Sequence, residues 1–162
     1  MTKKERAMAL FTQGYNCAQS VVLAFADELD ADEATLARLS SSFGGGLGRM
    51  REVCGAVSGM AIVLGLLEGY DDPADNAAKA AHYERIQAAA KKFEAENGSI
   101  VCRELLGLNR KHDAPSPSAR SADFYQKRPC RELVGMAAEI LETQLKQSSC
   151  QKGRTWITRS QN

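Results

Sequence analysis

Between Phe43 and Gly59 the chain reads FGGGLGRMREVCGAVSG, and this stretch limits the fold more than any other. Gly44, Gly45, Gly46 and Gly48 fall within six residues. Glycine favours left-handed backbone and close approach of two segments, so this run reads as a loop between helices. The helix expected next, about residues 52–68, carries Gly55, Gly59 and Gly65 in its interior. Each interior glycine costs about 1 kcal/mol relative to alanine, so three in one helix need a reason. Gly55 and Gly59 are four apart and share a face, where another backbone or a ligand could come close. The remaining positions, from Met60 to Leu67, are apolar nearly all round, which predicts a buried element. The fold expected is all-α: a compact multi-helix bundle around this central Gly/Ala-rich helix.

Other segments agree. Aromatic residues are only 6% of the chain, and alanine is abundant, which favours close-packed helices over a sheet sandwich. Residues 2–13 show helical spacing with Ala7, Leu10 and Phe11 inward, and Asn16 is suited to cap a second helix reaching about Leu29. A short helix then places Leu36 and Leu39 inward. A long alanine-rich helix follows from Asp75 to Glu96, stopped by Asn97-Gly98. Ile100–Gly107 reads as a short helix and Asn109–Ala122, with Pro115 and Pro117, as a polar surface connector. Pro129 opens the last helix, which runs to about Gln147. Residues 1–147 are expected to form a single helical domain, and 148–162, which lack periodicity, a disordered tail.

The net charge is +1, giving no electrostatic case for nucleic acid or an anionic membrane. No run approaches the length of a membrane span, and the N-terminus lacks the apolar core of a signal peptide, so a cytoplasmic location is expected. Cysteines in a reducing compartment are free, metal-bound or redox-active more often than structurally bridged.

Four of the five cysteines share a setting. Cys17 follows the cap Asn16, Cys54 follows the glycine loop, Cys102 follows Ser99, and Cys130 follows Pro129. Each is expected in the first turn of a helix, where unpaired N–H groups and the helix dipole stabilise a thiolate. Cys54 is the expected attacking thiolate, with Arg49 and Arg51 close in sequence. Gly44, Gly45, Gly46, Arg49, Arg51, Gly55 and Gly59 are candidates for an anion or ligand cradle, set against the plainer reading of a tight crossover between packed helices. An internal echo, CRELLG from Cys102 and CRELVG from Cys130, suggests these two cysteines as a pair. No C-x-x-C occurs, which removes the thioredoxin signature and the paired knuckles of a structural zinc site. Dispersed cysteines can still converge, so Cys17, Cys54, Cys102 and Cys130 remain alternative ligands for zinc or an iron–sulfur cluster. With only two histidines in the chain, His82 and His112, a His-rich metal site is disfavoured. Cys150 lies in the tail and is read as a bystander.

The segments GYNCAQSV (14–21), FGGGLGR (43–49) and CGAVSG (54–59), with Cys102 and Cys130, resemble the C_GCAxxG_C_C family. That family is defined by four cysteines, the second within a C-G-A-x-x-G motif, and the resemblance spans about residues 1–146. It implies a redox role for the four cysteines and names no substrate or cofactor. The function expected is therefore thiol/disulfide chemistry, as in a thiol-disulfide oxidoreductase, with a redox partner or small molecule of unspecified identity. The alternative is a module binding a metal or iron–sulfur cluster through the same cysteines.

Overall fold

The computed structural model describes residues 1–159, with side chains as far as Cys150. Helix α1 (Lys3–Thr12) and helix α2 (Cys17–Ala24) each open with a capping box, Thr2 with Glu5 and Asn16 with Gln19. A 3₁₀ turn (Ala26–Glu28) leads to α3 (Glu33–Ser41), capped by Asp32. The glycine run is a single tight turn, α4 (Gly44–Leu47), in which Gly45 and Gly46 both have φ of 63°. Then come α5 (Gly55–Glu68), α6 (Asn76–Asn97), the one-turn α7 (Cys102–Leu105), the short α8 (Ala122–Lys127) and the long α9 (Cys130–Arg159). The described residues contain no strand, only an isolated antiparallel bridge between Val53 and Val101.

The bundle is all-α, as the apolar periodicity predicts. Helix α2 is packed on four sides, by α1, α3, α5 and α9, and six of its eight residues are buried. Helix α5 lies along α2 and is covered further along by α6 and α9. The side chains of Phe11, Phe25, Phe93, Met60, Leu64 and Leu141 fill the space between them. Each side chain of this size contributes about 1.5–3 kcal/mol by leaving water.

Gly55 and Gly59 explain why α2 and α5 lie so close. A Cβ on Gly59 would stand 2.8 Å from the Cβ of Val21 and 3.0 Å from the Ala18 carbonyl. A Cβ on Gly55 would stand 2.9 Å from the Phe43 carbonyl and 3.0 Å from the Cβ of Cys17. The shared glycine face is occupied by another backbone.

Several boundaries differ from the sequence expectation. Helix α5 begins at Gly55, not near residue 52, because Glu52–Cys54 are extended and pair with Ile100–Cys102: the Cys54 amide donates to Ile100 at 2.8 Å and the Cys102 amide to Glu52 at 2.6 Å. This pairing also delays α7 to Cys102. Leu39 points outward and Ser40 inward, since Leu36 and Ser40, four apart, share the buried face. The Ser40 hydroxyl meets its hydrogen-bonding need by donating to the Leu36 carbonyl at 2.7 Å. Helix α8 was not expected; Ser121 caps it by accepting from the Phe124 amide. Helix α9 passes its expected end near Gln147 and continues to Arg159, while residues 160–162 of the expected tail lie outside the described part. Among the described residues, no helix is long and apolar enough to cross a membrane.

Candidate thiol site

Cys17 is the first residue of α2, Cys102 of α7 and Cys130 of α9, and Cys54 is the residue from which α5 springs. The four helix starts converge. All four cysteines line one cavity of about 390 Å³ and carry free thiols. Cys54, Cys102 and Cys130 are buried and Cys17 is half-buried. Cys150 is exposed and is not part of the cavity wall.

Local structure positions each thiol. The Val53–Val101 bridge sets Cys54 beside Cys102. The tight turn of α4 lets Cys102 approach: a Cβ on Gly46 would stand 2.8 Å from the Cβ of Cys102. Asn16, the cap of α2, also donates from its side-chain amide to the Ser41 carbonyl at 2.9 Å, tying Cys17 to the entry of the glycine turn. Gly48 and three non-glycine residues, Leu47, Arg49 and Arg51, have positive φ. Left-handed backbone at non-glycine residues costs of order 1 kcal/mol each, and it persists here beside the thiols.

The arginines do more than line the wall. Arg51, 2% exposed, grips Asp113 with Nε at 2.8 Å and Nη2 at 2.6 Å, and donates from Nη1 to the sulfur of Cys102 at 3.6 Å. Arg49 donates to the Ala114 carbonyl at 2.6 Å and lies 3.6 Å from Asp113, which Arg110 also contacts. The Asn109–Ala122 segment, read from the sequence as a surface connector with a lid as the other reading, is thereby drawn over the cavity, and Pro115, Pro117 and Ser118 form part of its wall.

The four thiols differ in acidity. The Cys17 and Cys130 thiols share a hydrogen-bonding contact. That contact is the main reason why the Cys130 pKa falls to about 7, with Arg128, Arg51 and Arg120 acting in the same direction against burial. The same contact, with burial, holds the Cys17 thiol well above its ordinary value. Burial pushes Cys54 up to about 12, although the amides of Ala56 and Val57 oppose it. Burial also raises Cys102, against the pull of Arg51.

These placements bear on two expectations. Burial works against the thiolate character expected of Cys54, and the Arg49 and Arg51 guanidinium groups engage the Asp113 segment and Cys102. The CRELLG and CRELVG segments are not equivalent, since one forms a single turn and the other opens a helix of 30 residues. Cys130 interacts with Cys17 as well as with Cys102. Of the cradle candidates, Gly44, Gly45, Gly46, Arg49, Arg51 and Gly55 border the cavity, whereas Gly59 is packed against α2 away from it. Among the described residues, no group of three or more Cys, His, Asp or Glu side chains is disposed to hold a metal ion. His82 is buried in α6, near Tyr70, and takes no part in the site.

Sequence reasoning missed Arg120, Phe124 and Arg128, which complete the wall. Arg128 had a signal: it stands two residues before Cys130, ahead of the proline that precedes α9.

An uncharacterized protein of Archaeoglobus fulgidus is 25% identical to this chain over 152 residues, covering 88% of this chain and 93% of that protein. No solved structure matches the chain. Residues 15–144 match the family described as "Putative redox-active protein (C_GCAxxG_C_C)", and the chain belongs to that family.

Proposed function

We propose that this protein carries out thiol–disulfide exchange, with Cys130 as attacking thiolate and Cys17 as resolving thiol. The observation that supports the reading is the convergence of four cysteines on one cavity, with Cys17 and Cys130 in contact and Arg128, Arg51 and Arg120 around Cys130. A cysteine with a pKa near 7 is largely available as thiolate at neutral pH without losing much nucleophilicity. The Cys130 thiolate attacks one sulfur of a disulfide RSSR, forming a Cys130–S–S–R bond and releasing RS⁻. Cys17 then gives up its proton and attacks the Cys130 sulfur. A Cys17–Cys130 disulfide forms and the second RS⁻ leaves. The protein loses two electrons, and the substrate gains them as two thiols once protons are taken up. Cys54 and Cys102, both held protonated, are the candidate second pair that accepts the oxidation from the first.

The test uses full-length protein reduced without oxygen and then treated with one equivalent of a small disulfide. Peptide mapping should recover Cys17–Cys130 as the first bridge, and Cys17→Ala should accumulate a mixed disulfide on Cys130. If the wild-type protein kept all four thiols free, or formed the mixed disulfide elsewhere, the assignment would be wrong.

A further inference from the structure

The chain as a whole is almost neutral, but the thiol cavity is not. Its wall contains Arg49, Arg51, Arg120 and Arg128, and no aspartate, glutamate or lysine. Asp113 lies behind the wall and engages Arg49 and Arg51. The other two arginines have no carboxylate partner among the described residues. Arg120 donates to the carbonyls of Phe11 at 3.4 Å and Tyr15 at 3.2 Å, and lies 4.4 Å from the Phe11 ring centre. Arg128 is half-buried and lies 5.0 Å from the Phe124 ring centre; its amide donates to the Phe124 carbonyl, but its guanidinium makes no hydrogen bond to another described residue. Stacking on the rings orients both guanidinium groups while leaving N–H donors unmatched by any acid. This arrangement suits planar, two-point recognition of carboxylate or phosphate.

We infer that the cavity takes a small disulfide bearing carboxylate or phosphate groups, with Arg128 and Arg120 receiving the anion beside Cys130. The inference rests on the thiol-exchange reading and names its substrate class. The volume, about 390 Å³, lies in the range of small-molecule sites. It fits one arm of such a disulfide better than a folded protein. Phe11, Phe124, Leu105, Leu106 and Pro117 offer an apolar surface for the part of that arm between its sulfur and its charge. In the mixed disulfide the arm joined to Cys130 keeps its anion on Arg128, and the other arm leaves as the free thiolate.

The experiment compares four disulfides against reduced full-length protein: glutathione disulfide (carboxylate), coenzyme A disulfide (phosphate), hydroxyethyl disulfide (neutral) and cystamine (cationic). The rate of mixed-disulfide formation at Cys130 is read by quenching and mass spectrometry. Each rate is divided by that of the same disulfide with 2-mercaptoethanol, which removes intrinsic reactivity. At least one anionic disulfide should lead the normalised series and cystamine should trail it, and the two anionic probes decide between carboxylate and phosphate. Arg128→Gln should lower the ratio of the preferred anionic rate to the neutral rate by about three- to tenfold, the net worth of one ordinary hydrogen bond at a half-buried site. Arg128→Lys should recover part of it. Using the ratio matters because a change in Cys130 acidity alone would slow all four disulfides together and leave it unchanged. Equal normalised rates in the wild-type protein, or an unaltered ratio in Arg128→Gln, would overturn the substrate class and leave thiol exchange standing. Reaction with none of the four would overturn both.

Discussion

Arg51 binds the sulfur of Cys102 and the carboxylate of Asp113 with the same guanidinium group. One side chain thus connects the thiol site to the segment that closes it. Removing the carboxylate frees the closing segment and leaves Arg51 buried with an unmet charge. Asp113→Ala is expected to cost about 2 kcal/mol, in the range for charged hydrogen bonds that are partly shielded from water. Urea unfolding measures this loss. The same variant should speed the reaction of Cys102 with a thiol reagent under native conditions. An unchanged reaction rate would mean that the segment does not control access.

Asp113 also predicts a pH dependence. Its contacts with Arg110 and Arg51 hold its carboxyl well below the ordinary carboxylate value. A depressed folded-state pKa contributes stability that is present above the unfolded value, about 4, and is lost as pH falls below it. Urea midpoints measured between pH 5 and pH 2 should fall for the wild-type protein, and fall less for Asp113→Ala. Parallel curves would assign the acid sensitivity to other carboxylates.

Contact with Cys17, helped by Arg128, Arg51 and Arg120, lowers the Cys130 pKa to about 7 against the effect of burial. Alkylation of Cys130 by iodoacetamide should therefore reach half its maximal rate near pH 7, whereas Cys54, pushed up to about 12 by burial, should stay unmodified through pH 10. Cys17→Ala removes the largest cause of the shift and should move the Cys130 midpoint toward the free-cysteine value of about 8.5. Site-resolved mass spectrometry across pH gives both curves. A Cys130 midpoint at or above 8.5 in the wild-type protein would contradict the electrostatic account.

Much of this site was legible because it is local. Asn16 before Cys17 and Pro129 before Cys130 mark helix starts, and a helix start fixes a side chain within one turn. The convergence of four starts was visible only as a shared setting, since no spacing rule says which thiol meets which. The glycine turn was legible as a break. That Arg51 would take a left-handed conformation and face Cys102 depends on the Val53–Val101 bridge, between residues 48 apart in sequence. Arg128 and Arg120 escaped notice because their role comes from stacking on Phe124 and Phe11, which belong to distant or short elements. The burial of Cys54 was hidden for a related reason. Sequence shows neighbouring arginines but does not show burial, and burial decides the sign.

Glycines in α5 provide a test of the packing with opposite signs. Both Gly59 and Gly65 are inside the helix, where alanine is intrinsically better by about 1 kcal/mol. At Gly65 an added Cβ meets nothing within 4 Å, so Gly65→Ala should stabilise the protein by about that amount. At Gly59 the added Cβ would press on Val21 at 2.8 Å and on the Ala18 carbonyl at 3.0 Å. Neither can yield without moving α2, so Gly59→Ala should lose about 1–3 kcal/mol despite its better helix propensity. Moving α2 would also displace Cys17 at its first turn. Gly59→Ala should then raise the Cys130 alkylation midpoint, while Gly65→Ala leaves it unchanged. Urea denaturation and the alkylation profile together check the claim that the α2–α5 contact sets the Cys17–Cys130 pair. Equal stabilisation by both substitutions would show that α2 and α5 do not pack through Gly59.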